Sequence, residues 1–305
     1  MKQSRAFTIT LLATWAFTMS AKAQAAPPKL PAGAEFAGEV AYVKEAHPRQ
    51  RLDIAFSRQG KPRPLLVWIH GGAFMGGDKA ENHAIWPELM KSGYAVATIN
   101  YRLSGDAKWP AQITDCKAAI RFLRAHAQEY NLAPGHIGVW GSSAGGHLSA
   151  LVGTSGGARK LDVGEYLDQS SAVSCAVDLF GPIDFEKMPQ FDSPTSPEAR
   201  MWGRATAEAL DLAREACPIT YLSKDTPPIL ILHGDADGVV HISQSQLFDA
   251  AIKKGRRDWR VRHAAWSRAL TCGGVDQRAR AHHDLLQATP ERRREGTWIN
   301  VWLRC

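Results

Sequence analysis

The chain has 305 residues, 45% of them hydrophobic and 22% charged, a balance that excludes a disordered or fibrous protein and suits one large α/β domain at least as well as two small ones. Its formal charge of +7 is local: residues 255–305 hold eleven Arg against five Asp or Glu, so the rest is nearly neutral. A nucleic-acid-binding face is thereby confined to the tail, which has neither the periodicity nor the motif such a face needs, and no nucleic-acid partner is expected.

In chain order, Lys2 and Arg5 precede an apolar stretch over residues 6–19, and Ala21, Ala23 and Ala25 follow as small cleavage-site residues. This reads as a signal peptide over residues 1–25, hence a secreted or periplasmic protein whose single domain occupies 26–305. A membrane anchor fits less well, because the apolar run is shorter than the ~20 residues a spanning helix needs and is broken by Thr8, Thr10 and Thr14. No later segment reads as a membrane span. The five cysteines (Cys116, Cys175, Cys217, Cys272, Cys305) lack a metal-ligand spacing. A disulfide among the first three and simple burial as small apolar side chains both remain open.

Residues 36–58 suggest antiparallel edge strands. Short apolar runs follow at 65–69, 94–99, 137–140, 175–177 and 229–232, as expected of strands covered on both faces. Between them, residues 110–129 carry Ile113, Cys116, Ile120 and Leu123 on one helical face, with Lys117, Arg121 and Arg124 directed away from it. Strand and helix in alternation predict a doubly wound, mostly parallel α/β sheet with right-handed crossovers. Residues 184–217, interrupted by Pro189, Pro194 and Pro197, read as a small lid over the carboxyl ends of the strands, where open α/β sheets bind ligands.

The chemistry centres on Gly141-Ser142-Ser143-Ala144-Gly145, which follows the strand at 137–140 and leads into a helix. A Gly-Ser loop would give the same letters, but strand before and helix after make this a nucleophile elbow, with Ser143 as the attacking group. An acyl-transfer enzyme must also hold an oxyanion on preplaced backbone N–H groups. His70-Gly71-Gly72-Ala73-Phe74, after the strand at 65–69, supplies Gly72 and Ala73, and the residue after the nucleophile supplies Ala144. His70 itself is expected to strap this loop, since it lies upstream of the serine. After the strand at 229–232 comes His233-Gly234-Asp235-Ala236-Asp237; Asp237 is the expected acid, with Asp235 the second choice as a turn-former and His233 packed at the strand end.

The run from His70 to Phe74, the segment Asp115-Cys116-Lys117-Ala118-Ala119-Ile120-Arg121, the elbow from Gly141 to His147, Phe180-Gly181-Pro182-Ile183-Asp184, and Pro228 to Asp237 together resemble the bifunctional feruloyl and acetylxylan esterase-like branch of the α/β-hydrolases, which is related to hormone-sensitive-lipase-type esterases. The resemblance spans residues 36–254. It implies an α/β-hydrolase fold and cleavage of acetyl or aromatic acyl esters, on small molecules or plant polysaccharide, without a metal or organic cofactor.

The resemblance also implies a Gly-His pair after the last strand, and this chain has none. Counting a strand and a turn on from Gly255 places the base within 263–268, so His263 is the candidate; His282 and His283 lie too far on. The strand expected at 258–261 is polar where the sheet needs apolar residues. These departures suggest that the reading frame slips near 254–257. With suitable codons, the bases encoding Trp266, Ser267 and Arg268 read one base later give Gly-His. Two functions follow: a serine esterase acting through Ser143, Asp237 and a histidine, or a catalytically silent hydrolase-like binding protein that keeps the pocket without the base. A peptidase on the same fold ranks below both, lacking the large extra domain.

Overall fold

The computed structural model describes residues 28–188, 193–255 and 265–266. Strands β1 (Glu35–Ala41) and β2 (Arg51–Phe56) pair antiparallel, and β2 continues antiparallel to β4 (Ala95–Ile99). From β4 the sheet runs parallel through β3 (Arg63–Ile69), β5 (Leu132–Ser142), β6 (Cys175–Leu179) and β7 (Ile229–Gly234) to a two-residue β8 (Ala265–Trp266). The order is β1-β2-β4-β3-β5-β6-β7-β8, the doubly wound arrangement that the alternating runs predict. The predicted strand at 258–261 lies outside the described residues; among the described residues, β7 pairs on that side with the strand at 265–266.

Every residue of β4, β6 and β7 is buried, which in a pleated strand requires cover on both faces. Alternation divides their side chains between the two faces of the sheet. Val67, Ile69, Val139, Ala176 and Ile231 join the larger core with α2 (Ala111–Ala125), α3 (Ala144–Thr154) and α6 (Ser243–Gly255). Trp68, Trp140, Val177, Leu179, Leu230 and Leu232 form the core of the opposite face, against which Leu89 of α1 (Trp86–Lys91) packs. Burial of aliphatic side chains of this size stabilises by about 1.5–3 kcal/mol each.

The predicted face of α2 is fully buried, with Ile113, Cys116, Ile120 and Leu123 all at 0% exposure. The opposite face departs from expectation, because Lys117 and Arg121 are also at 0%. The segment after α3 folds across them and supplies the partners two buried cations need: Arg121 Nη1 donates to Asp162 Oδ1 at 2.7 Å, and Lys117 Nζ donates to the Ser155 carbonyl at 2.7 Å. Cys116 and Cys217 are free and buried, so no disulfide joins Cys116, Cys175 and Cys217 to one another.

Within 184–217, Ser196 caps α4 (Pro197–Trp202) by accepting from the Ala199 N–H, and α5 (Leu210–Ala216) follows. The segment docks on the residues after β4. The Trp109 N–H donates to the Met201 carbonyl and its indole N–H to Glu215 Oε1, while the Trp202 ring meets Trp109 and Phe185 edge to face. Among the described residues, no helix is long and apolar enough to cross a membrane.

Candidate active site

Because β3, β5 and β7 are parallel, the segments that leave their carboxyl ends emerge at one edge of the sheet, and those segments carry the predicted chemistry. Ser143 occupies the single residue between β5 and α3, at φ 54° and ψ −123°. A non-glycine residue in such a conformation costs on the order of 1–3 kcal/mol and persists only where its surroundings hold it. Here the Ser143 N–H donates to the Leu179 carbonyl at 2.9 Å, and the Ser143 carbonyl accepts from the His147 N–H at 3.0 Å.

The flanking glycines are required by space. A Cβ on Gly141 would overlap the Gly145 carbonyl and come within 2.5 Å of the Ile69 oxygen; one on Gly145 would overlap the Ile69 oxygen and lie 2.6 Å from that of His70. The turn is therefore pressed against the end of β3. Ala144 opens α3, where the first N–H groups have no partner within the helix and the dipole favours negative charge.

The loop after β3 abuts Ser143: a Cβ on Gly71 would stand 3.5 Å from Ser143 Cβ. Gly72, Ala73 and Phe74 take φ values of 105°, 54° and 58° in succession. The Gly72 carbonyl accepts from Met75 and Gly76, and the Phe74 carbonyl from the N–H and hydroxyl of Ser104. Gly72, Ala73 and Ala144 thus lie on the two segments that meet at Ser143.

Three histidines at this edge are committed elsewhere. His70 and His147 are fully buried, and burial pushes each down to about 4. His70 Nδ1 lies 2.7 Å from the Gly71 carbonyl, and His147 Nδ1 donates to that of Pro182, with its ring between Phe74 and Phe185. His233 bonds the Val240 carbonyl through Nε2 and the Ser245 hydroxyl through Nδ1. It is packed at the strand end.

Asp237 leaves β7, two strands and about 10 Å across the sheet from β5. Its Oδ1 accepts from the N–H groups of Val239 and Val240 at 2.8 and 3.0 Å, and its side chain is 7% exposed. Asp235 faces solvent. The structure thus brings Ser143 and the Gly71–Phe74 segment into contact and sets Asp237 on the same edge. His263 lies outside the described residues.

Two residues at this edge escaped the sequence reading. Asp178, on β6, is fully buried; burial raises it to about 7, against the pull of the Gly181 N–H on Oδ1, and Oδ2 has no hydrogen-bond partner. Gly146 and Gly181 both pack on that carboxyl, since a Cβ on either would lie 2.5 Å from Oδ1. A charged letter directly after the apolar run at 175–177, inside β6 (Cys175–Leu179), was the available signal. Arg49, in the turn before β2, bonds the loop after β3 and carried no signal in sequence. Among the described residues no cluster of His, Cys, Asp and Glu suits a metal ion.

The sequence matches the BD-FAE family over residues 52–252. Esterase LipC of Mycobacterium tuberculosis is 30% identical over 66% of this chain and 51% of its own length, and the chain spans about half the length of the curated relatives it matches. Two solved structures align closely. A truncated carbohydrate esterase from gut microbiota is 34% identical with a TM-score of 0.71, covering 79% of this chain and 89% of that one. A bifunctional GH43-CE protein of Bacteroides eggerthii is 33% identical with a TM-score of 0.72, over 83% and 38%. These neighbours are carboxylic ester hydrolases and carbohydrate esterases, and the fold is that of the α/β-hydrolases.

Proposed function

Since the chain belongs to the BD-FAE family, we propose that it is a serine esterase that cleaves acetyl or aromatic acyl esters, free or attached to polysaccharide, through an acyl-enzyme. The observation that carries this is Ser143 at positive φ, wedged by Gly141 and Gly145 against β3 and abutted by the Gly71–Phe74 loop. Ser143 Oγ adds to the ester carbonyl as a histidine takes its proton. The oxyanion is held by the N–H groups of Gly72, Ala73 and Ala144. The histidine then protonates the leaving alcohol as the C–O bond breaks, and water repeats the sequence on the acyl-enzyme. Asp237, its Oδ1 already occupied by two amides, offers Oδ2 to orient and stabilise the imidazolium. No metal or organic cofactor takes part. Export by the segment 1–25 belongs to the same reading.

The base comes from the chain around β8 (Ala265–Trp266): His263 as the sequence stands, or the Gly-His of the shifted frame. The family match ends at 252, and β8 ends at Trp266, where the shifted reading would begin its Gly-His, which supports the second. Sequencing the gene decides; no Gly-His in either alternative frame across codons 254–268 ends the frame-slip idea. A silent binding protein is the competing reading, and it gains from the committed state of His70, His147 and His233.

Hydrolysis of p-nitrophenyl acetate by the full chain, beside Ser143→Ala, separates the two. An esterase loses about a millionfold in kcat on that substitution. Equal rates for the two proteins would leave only the silent reading.

A further inference from the structure

The loop that follows β3 is held in a conformation its own residues resist. Ala73 and Phe74, at φ 54° and 58°, each cost on the order of 1 kcal/mol or more, so something outside the loop must fix it. Its two ends, His70 and Gly77, are joined by one side chain from a distant part of the sequence. Arg49 Nη2 donates to the Gly77 carbonyl at 2.9 Å and lies 3.0 Å from His70 Nε2. Arg49 Nε donates to the Tyr101 carbonyl at 3.4 Å, and Nη1 stands 3.6 Å from Asp78 Oδ2.

A guanidinium carries donors only and does not give up its charge in a protein. The nitrogen it bonds on His70 must therefore be the bare one, and the ring's single proton sits on Nδ1, from which it is donated to the Gly71 carbonyl at 2.7 Å. The ring is stacked on Tyr101 with centroids 4.4 Å apart, and the Tyr101 hydroxyl donates to the His70 carbonyl at 3.0 Å. Against the other side, Gly77 packs so tightly that a Cβ there would overlap Nδ1. The ring cannot turn over to exchange its two nitrogens without losing both of their hydrogen bonds, to Arg49 and to the Gly71 carbonyl.

We propose that Arg49 is a positioning residue for the oxyanion loop: by occupying His70 Nε2 it fixes the Nδ1–H tautomer that holds the Gly71 carbonyl, and so aims the amides of Gly72 and Ala73 at the Ser143 site. The consequence for rate rests on the esterase reading; the tautomer does not. The charged or titratable groups facing His70 are Arg49 before β2, Asp78 at the end of the loop and Tyr101 after β4. Burial and the Arg49 charge disfavour the imidazolium; Asp78 favours it. Removing Arg49 leaves Nε2 free to take a proton at higher pH, and a doubly protonated ring facing Asp78 has a reason to move.

The test combines two readouts on the full chain, Arg49→Met and Arg49→Lys. Long-range 15N–1H spectra of the His70 ring report its tautomer, and p-nitrophenyl acetate kinetics report kcat and KM. The parent should show neutral Nδ1–H at pH 5.5. Arg49→Met should show mixed tautomers or a charged ring at that pH, with kcat down by about 30- to 100-fold, the scale of a loop displaced by an ångström, and KM within about threefold. Arg49→Lys, which keeps one charged donor, should restore the tautomer and most of kcat; it also decides the matter if Arg49→Met does not fold. An unchanged tautomer in Arg49→Met, or an unchanged kcat beside a changed tautomer, overturns the proposal. A parent that hydrolyses no ester defeats the esterase reading, and the spectra then stand alone as the test of the clamp.

Discussion

The two halves of the site are built differently. On the β3 and β5 side, Gly71, Gly141 and Gly145 are locked into contacts that admit no Cβ, and the loop is tied by His70, Tyr101 and Ser104. On the β7 side, Asp237 is held by two local amides, and its neighbours Asp235, Ala236, Gly238 and Val239 are exposed. On the esterase reading, the difference follows from what each half must do. Backbone donors that meet a developing oxyanion act only if placed beforehand to a fraction of an ångström. A carboxylate that orients a histidine has that histidine to help place it.

Exchanging the two loop carboxylates for amides probes the looser half with the largest expected effect. Asp237→Asn should lower kcat by about 10⁴-fold, because an amide presents the wrong partner to the imidazole N–H. Asp235→Asn, at a solvent-facing turn, should stay within about twofold. A comparable loss from both, measured with a chromogenic acetate ester, would move the acid role off Asp237.

A matched pair of glycine substitutions compares the halves directly. Gly145→Ala forces a methyl onto the Ile69 and His70 carbonyls, and relief requires moving β3 or the elbow; a stability loss of about 2–4 kcal/mol by urea denaturation is expected, the range of overpacked and strained sites. Gly238→Ala meets nothing within 4 Å and has no positive φ to give up. It should be neutral or gain about 0.4–1 kcal/mol by restricting the unfolded chain. Equal losses would mean that the acid loop is as tightly built as the elbow.

The same contrast explains what the sequence disclosed. The parallel strands, the face of α2 and the elbow are written in local patterns, apolar runs and glycine spacing, and were legible. The burial of Lys117 and Arg121 was not, because the groups that neutralise them, Asp162 and the carbonyls around it, lie some 40 residues away. Nor was Arg49, 21 residues before the His70 it touches, since a single arginine in the polar stretch His47-Pro48-Arg49-Gln50-Arg51 has nothing to distinguish it. Asp178 did leave a trace, as a carboxylate in a strand that is otherwise apolar, and its meaning emerged only when Gly146 and Gly181 were seen packed on it.

Asp178 gives an effect smaller than that at Gly145, and one whose sign is fixed. Its folded value of about 7 stands above the ordinary 3.8, so between those pH values the folded chain holds a proton that the unfolded chain has released, and stability falls as pH rises from about 4 to 7. His70 and His147 act oppositely: pushed down to about 4 from 6.5, they contribute stability that is complete above pH 6.5 and is lost as pH falls through 4. The parent curve is the sum of these slopes and identifies neither. Asp178→Asn separates them, since it leaves both histidines in place and they cancel in the difference between variant and parent. The amide keeps the shape and the acceptor for the Gly181 N–H without a charge to bury. The variant should match the parent near pH 4 and exceed it in Tm by a few degrees at pH 8, about 1–2 kcal/mol for a chain of this size. A difference independent of pH would mean that the carboxyl is ionised in the folded state throughout, and that Gly146 and Gly181 pack on a charge.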